Sequence, residues 1–460
     1  VGVVVPGRPA EPTTPQVRRV LALCDGTRPA RAIQRQLAPE LSASQVVEIL
    51  TELVRRRWIV WQLEIPADAR AERHLRAFLE QVDDPPLRRR WLDRLDVLEQ
   101  GRDRVRTATD VDQLCAALAD LESGFVALTD TAATREKSAG TAPCRGLVYA
   151  DSRRSATARL GGDVLTALAP LESMLTAAGW LTSTLTGRLL PRFRQVYDRL
   201  RAGTDQPVDL ASFWFACMPV LHGDATAEAT AVQQEFWRRW ADILPPTAGV
   251  RRVRADAATV AARVREVFGD APATSWTAAR YLSPDVLIAA EDADAVARGD
   301  FQLVLGELHV ATNTVGANLF VHQHPAPEEL FAATDRDHPG PRLLPVLAKE
   351  HRSRLSIRVG RNLVRPEDYL VALVDHTADP RRPRTVLSAD VSVVERDDRL
   401  VVVLPDGAEF DVLDVFSHVL TTLVMDLFRV LPDADHSPRV TVDRMVVARE
   451  SWRFVAGELG

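Results

Sequence analysis

Apolar positions divide the chain into a short mixed region, a long helical one and a β-rich one. Val1 to Val5 is a β-type run closed by Pro6 and Gly7. Thr13-Thr14-Pro15 then has the form of a helix start, a hydroxyl cap ahead of proline. Val17, Val20, Leu21 and Cys24 make one apolar face that ends at Asp25-Gly26, and Thr27 caps a second helix carrying Ala30, Ile33 and Leu37. A third helix starts at Ser42 or Ser44 and carries Val46, Val47, Ile49, Leu50, Leu53 and Val54. Ile59, Val60, Trp61 and Leu63 read as a closing strand. Three short helices with flanking strands predict a winged helix-turn-helix over residues 1–65.

From Ala67 to Ala119 the pattern is helical and densely charged, with Arg88, Arg89, Arg90, Arg94, Arg102, Arg104 and Arg106 interleaved with Asp93, Asp96, Glu99 and Asp103. Such mixing describes a solvated helix laced with ion pairs, or a contact for a nucleic-acid backbone. Phe125 to Thr131 and Gly146 to Arg154 read as strands on either side of a breaker-rich loop. Residues 163–270 carry amphipathic helices whose aromatics (Trp180, Phe193, Tyr197, Phe236, Trp237, Trp240) have the spacing of a core stripe.

The remainder turns to β. Val286 to Ala290 and Phe301 to Leu305 are apolar strand segments around a short acidic helix and a Gly299-Asp300 turn, and the second segment runs into Glu307, His309, Asn313, His322 and His324. A buried strand that empties into a polar cluster is where such folds place function. Leu355 to Val359, Tyr369 to Val374, Val386 to Val394 and Leu400 to Leu404 alternate as strands, and Asp406-Gly407 is a hairpin signal. Phe416 to Phe428 reads as a helix, and Arg439 to Val447 as a strand containing Asp443 and Arg444. The class expected is α+β: a winged helix-turn-helix unit over 1–65, then a larger mixed helical and antiparallel-sheet region over 66–460.

Length and composition add bounds. The 460 residues suffice for more than one domain, and 46% hydrophobic with 26% charged residues is ordinary for a globular chain. No apolar stretch reaches membrane-spanning length and the start has no signal-peptide pattern, so a cytoplasmic location is expected. Cys24, Cys115, Cys144 and Cys217 lie far apart, which argues against a disulfide framework or a zinc site. His322 and His324 without a nearby third ligand leave the expectation of no metal. The net charge of -6 gives no global nucleic-acid signal, but Lys137 and Lys349 are the two lysines, so positive charge is almost all guanidinium and suited to bidentate phosphate pairing. There is no P-loop, GxGxxG, HExxH or GxSxG.

Three phrases, SPDVLIAA (283–290), ARGDFQLVLGELH (297–309) and HSPRVTVDRMVVARESWRF (436–454), resemble the class I lanthipeptide (lantibiotic) dehydratase family. The resemblance implies a glutamylation module that esterifies Ser and Thr of a precursor peptide from glutamyl-tRNA, with that tRNA as co-substrate and no other cofactor. LALCDGTRPARAIQRQLA (21–38) resembles the PqqD-like peptide-recognition element of these enzymes, so the winged unit is expected to take a leader peptide rather than DNA, as a strand added beside Val3, Val4 and Val5 and against Val47 and Leu50 of the third helix. In the family, the place of Asp151, Arg153 and Arg154 often reads acidic-Asp-x-x-Arg beside the glutamylation site; Ala150 and Ser152 depart from that pattern.

Acyl transfer from an activated ester needs anion recognition and a polar group beside the hydroxyl. Arg153, Arg154, Arg444 and Arg449 are candidates for the first, with Asp151, Glu307 and His309 for the second; Arg449 is a substrate-binding candidate and the others catalytic ones. Each has a plainer reading: Glu307 and His309 share a face and can satisfy each other, and Arg439, Asp443 and Arg444 can be a structural ion-pair set. The resemblance also implies an arginine-rich TPFG-type segment before residue 1, and the rest of the module with a glutamate-eliminating domain after residue 460. Val1 in place of Met then suggests a fragment, half of a split enzyme with an elimination partner, or an alternative start codon; a homodimer is a further possibility. Two other functions stay open: a peptide–aminoacyl-tRNA ligase that extends a carrier peptide, and a non-catalytic peptide- or DNA-binding winged-helix protein.

Overall fold

The computed structural model describes residues 2–3, 5, 10–61, 63, 65, 70–134, 146–149, 151–202, 206–245, 249–269, 276–346, 363–373, 382–455 and 457. At the N-terminus β1 (Gly2–Val3) pairs antiparallel with β2 (Glu11–Pro12). Then come α1 (Pro15–Ala22), α2 (Ala30–Leu37) and α3 (Ala43–Arg55). Thr14 caps α1 by accepting from Val17 N at 3.3 Å. A capping box starts α3: Ser42 accepts from Gln45 N, and Gln45 accepts from Ser42 N at 2.8 Å. Such a cap contributes about 1 kcal/mol. Val20, Ile33, Leu37, Leu41, Val46, Leu50 and Leu53 form this unit's own core. The closing strand expected at 59–63 does not form among its described residues, and β2 takes the place beside β1.

The charged segment folds as α4 (Ala71–Leu79), α5 (Pro85–Thr107) and α6 (Val111–Thr129). Arg102 bonds Glu72 at 2.6 Å and Arg76 bonds Glu99 at 2.7 Å, so the mixed charges tie α4 to α5. Partly exposed pairs of this kind are worth about 0–1 kcal/mol each. Most of the strand expected at Phe125–Thr131 is instead the end of α6, which stops at Thr129. Asp110 caps that helix through Gln113 N, and its face buries Ala117 and Leu121. The close approach depends on Gly101 of α5, where a Cβ would meet Leu121 at 2.8 Å. Helix pairing thus overrides the local β preference of the apolar run. The described residues of 146–154 likewise form no strand.

The main core is built on α7 (Gly162–Ala167), α8 (Pro170–Arg201), β3 (Val208–Asp209), α9 (Leu210–Pro219), α10 (Ala225–Ile243), β4 (Arg252–Ala255) and α11 (Ala257–Phe268). Its aromatic stripe is core, as the spacing predicts: Trp180, Phe193, Phe236 and Trp240 are all buried. After it come β5 (Leu282–Ala289), α12 (Ala293–Ala297), β6 (Gln302–Val310), α13 (Asn318–Val321), α14 (Pro327–Asp337), β7 (Leu343–Val346), β8 (Tyr369–Ala372), β9 (Thr385–Leu387), β10 (Ser392–Arg396), β11 (Arg399–Val403) and β12 (Glu409–Asp411). The chain ends with α15 (Val412–Val415), α16 (Ser417–Val424), β13 (His436–Ser437), β14 (Arg439–Val442), β15 (Met445–Ala448) and β16 (Ser451–Trp452).

A five-stranded sheet in the order β4-β14-β15-β6-β5 positions the site. β5–β6 and β14–β15 are antiparallel, whereas β4–β14 and β15–β6 are parallel. The segment expected as one strand at Arg439–Val447 is the hairpin β14–β15, with Asp443 at φ 50° and Arg444 making its turn. The expected strand at 386–394 is split into β9 and β10 by a turn at Ser388–Asp390. The expected strand at 355–359 lies outside the described residues.

Beside β7 and β8, His338 is 8% exposed and its Nε2 has no hydrogen-bond partner. Burial, then the charges of Arg342 and Arg280, push its pKa down to about 4. The unfolded chain, near 6.5, takes up that proton first as pH falls. Stability from this group is therefore full above about 6.5 and lost as pH falls toward about 4. His338→Asn is expected to flatten the pH dependence of urea unfolding across that window by about 3 kcal/mol.

Candidate active site

Glu307 and His309 of the polar cluster sit on β6 itself, while Asn313, His322 and His324 follow it, and a β-bulge determines the layout of the first two. Pro284 pairs with Leu308 and Val286 with Leu305, so Gly306 and Glu307 together oppose Asp285. Leu303 and Leu305 are buried before the bulge, and Leu308 and Val310 after it. The extra residue shifts the alternation by one, and Glu307 joins His309 on the outer face while the flanking leucines stay in the core. Gly306 suits the crowded point: a Cβ there would lie 3.3 Å from Leu287 and 3.4 Å from the Asp285 carbonyl oxygen.

His309, 23% exposed, lies between two acids: Nε2 is 3.3 Å from Glu307 Oε2 and Nδ1 is 3.2 Å from Asp426 Oδ1. Asp426 follows α16, and between the adjacent residues Val310 N donates to Met425 O at 3.0 Å, which fixes the distance between the two elements. The hydrogen bond with Asp426, then its charge and those of Glu307 and Asp285, raise the imidazole pKa above its ordinary value. The same hydrogen bond holds the Asp426 carboxyl below the usual carboxylate range. Beside this group lies an open hollow of about 560 Å³ lined by Pro284, Asp285, Val286, Leu287, Gly306, Glu307 and Arg449. Charges of both signs, Asp285 and Glu307 with Arg449, therefore line this space. Donor atoms of Asp285, Glu307 and His309 lie within 4.8 Å of one another, which a divalent cation could take. The His309–Glu307 ion pair already accounts for part of this proximity, and Asp285 and Glu307 are exposed.

Of the sequence candidates, the structure places Glu307 and Arg449 on the lining of one hollow and His309 against Glu307. Arg444 is at the opposite end of β15: it donates to Gly299 O at 2.6 Å and lies over Phe301 at 5.4 Å, a role in holding the turn. Arg153 donates to Gln323 O at 3.1 Å, Arg154 is exposed, and neither they nor Asp151 line the hollow. Near the N-terminus Val3 lies in β1, Val5 is outside a strand and Val4 is not among the described residues. Val47 is 39% exposed on α3, whereas Leu50 is core. Among the histidines after β6, His324 Nδ1 is engaged by Ala326, which donates to it at 3.1 Å. Sequence reasoning missed Asp285 and Asp426. The first is a lone acid inside an apolar strand phrase, a signal that could have been read; the second depends on where α16 ends in space.

A family model described as "Lantibiotic dehydratase, N terminus" matches residues 8–460. No curated protein matches the chain. Among solved structures, it is similar to MibB, a tRNA-dependent lantibiotic dehydratase from Microbispora sp. 107891, at 16% identity and a TM-score of 0.57, over 97% of this chain and 45% of that one. It is also similar to TbtB, a glutamylation domain from thiomuracin biosynthesis bound to 5'-phosphodesmethylglutamycin, at 14% identity and a TM-score of 0.43, over 97% of this chain and 55% of that one. The chain thus spans about half the length of either. No described helix is long and apolar enough to cross a membrane.

Proposed function

The chain belongs to the lantibiotic dehydratase family, in its N-terminal part, and from that membership we propose that it glutamylates Ser and Thr side chains of a ribosomally made precursor peptide, with glutamyl-tRNA as donor, on the way to dehydroamino acids. The observation that carries the reading is that Glu307 and Arg449 line one hollow while His309 is held against Glu307, all three in residues of the family phrases themselves. Arg449 is suited to a carboxylate or phosphate of the donor, and the imidazole to a hydroxyl proton. Glutamyl transfer from an ester then needs positioning and a proton acceptor, with no further activation.

The leader peptide is assigned to residues 1–65. Among the described residues β1 pairs with β2 alone, leaving its outer edge for a strand-adding peptide, and Val47 presents an exposed apolar position on α3. Arg56 pairs with Glu11 at 3.4 Å and so ties the end of α3 to β2.

The test is mass spectrometry of a precursor peptide incubated with the protein and glutamyl-tRNA. Glutamyl adducts on Ser or Thr are expected, and Arg449→Ala is expected to lower their rate of formation about 10- to 100-fold, the weight of one charged hydrogen bond, without loss of leader binding. Extension of the peptide by an amide-linked residue, or salt-sensitive binding to duplex DNA alone, would overturn the assignment.

A further inference from the structure

We infer that Asp426 is the positioning residue for His309, holding the imidazole so that its Nε2 takes the proton of the acceptor hydroxyl. The inference rests on the proposed glutamyl transfer and adds to it a residue that lies outside the family phrases. Asp426 Oδ1 is 3.2 Å from Nδ1, an arrangement in which Nδ1–H donates to the carboxylate and Nε2 is left beside Glu307, a residue of the hollow's lining. The backbone bond from Val310 N to Met425 O, at 3.0 Å, anchors the neighbours of both residues, so the pair is set by the packing of α16 on the sheet rather than by a chance surface encounter. Thr421 of α16 makes a second tie, donating to Ala311 O at 3.3 Å.

Every charged group facing the ring has a part. Asp426 comes from the turn after α16, Glu307 from β6 and Asp285 from β5, while Arg449 borders the hollow at the end of β15. Glu307 Oε2, 3.3 Å from Nε2 on a side chain 68% exposed, fills the place that the acceptor hydroxyl takes when peptide binds. In the step itself, the hydroxyl oxygen bonds to the carbonyl carbon of the glutamyl ester as its proton passes to Nε2. The bond from that carbon to the tRNA ribose oxygen breaks, and the proton returns to that oxygen, so the imidazole is regenerated. The raised pKa of His309 has the direction expected of a base strengthened by a neighbouring carboxylate.

The experiment compares wild type, Asp426→Asn and Asp426→Glu by two measurements: the rate of glutamyl transfer to the precursor peptide, and the His309 tautomer by NMR of protein labelled with 15N-histidine. Asp426→Asn is expected to shift the tautomer away from Nδ1–H and to lower kcat about tenfold with KM unchanged, and Asp426→Glu to restore part of both. An unchanged kcat in Asp426→Asn overturns the inference, as does an unchanged tautomer. If wild-type protein transfers no glutamyl group, the reading of the activity fails instead, and the tautomer alone decides whether Asp426 orients the ring.

Discussion

Replacing Asp368 with alanine is expected to cost about 3–5 kcal/mol of stability, measured by urea unfolding at neutral pH, because it removes the fully buried carboxylate that two guanidiniums share. Asp368 is fully buried and accepts from both Arg342 and Arg365: Arg342 Nη2 at 2.6 Å and N at 2.9 Å, Arg365 Nη2 at 2.9 Å and N at 2.8 Å. Arg365 is itself only 3% exposed. Its other bonds go to the His338 carbonyl at 2.7 Å, the Gly340 carbonyl at 2.6 Å and Asp335 at 3.1 Å, so turning outward to water would break its ties to the loop after α14. These bonds outweigh burial and hold the Asp368 carboxyl far below the usual range. Its folded pKa lies under the unfolded one. The stability it supplies is therefore present above about pH 4 and is lost as pH falls further toward the folded value. Asp368→Asn keeps one acceptor and the volume, and is expected to fall between wild type and alanine.

None of that network was legible in the phrase RPEDYLV, which reads as a charged turn before a strand. Burial of an ion pair is a tertiary fact, fixed here by β7 lying parallel beside β8 so that Arg342 reaches Asp368. Periodicity served where one element buries one face. It located the three N-terminal helices, the aromatic stripe of α8 and α10, and the β5–β6 pair. It failed at Phe125–Thr131, where a β-type run of residues is absorbed into a helix because Gly101 lets α5 and α6 approach. It failed again at Asp443-Arg444, where two polar residues inside an apolar run were a turn. The site was half legible. Glu307 and His309 stood out as polar residues interrupting an apolar strand, and Arg449 as a guanidinium in a family phrase. The bulge that turns both of the first two to the outer face depends on strand register, and the partner of His309 on where α16 stops, neither of which is a local property of the sequence.

His309→Gln is expected to lower glutamyl transfer about 10²- to 10⁴-fold, the usual weight of a general base, in assays with saturating precursor peptide and glutamyl-tRNA. Glutamine retains a polar group of similar reach but cannot accept and return a proton at neutral pH. The same substitution is expected to move the urea midpoint by less than about 1 kcal/mol equivalent, because the pairs it removes are with exposed carboxylates, 68% for Glu307 and 69% for Asp426. This separation of activity from stability sets the residue apart from Asp368, whose expected effect is on stability. Arg444→Ala provides the contrast: its contacts are the Gly299 carbonyl and the Phe301 ring, so it should affect the β14–β15 turn and leave transfer near wild type. Full activity in His309→Gln together with loss in Arg444→Ala or Asp151→Asn would place the transfer step away from β5 and β6. It would also reduce the hollow beside Arg449 to a surface feature of the sheet.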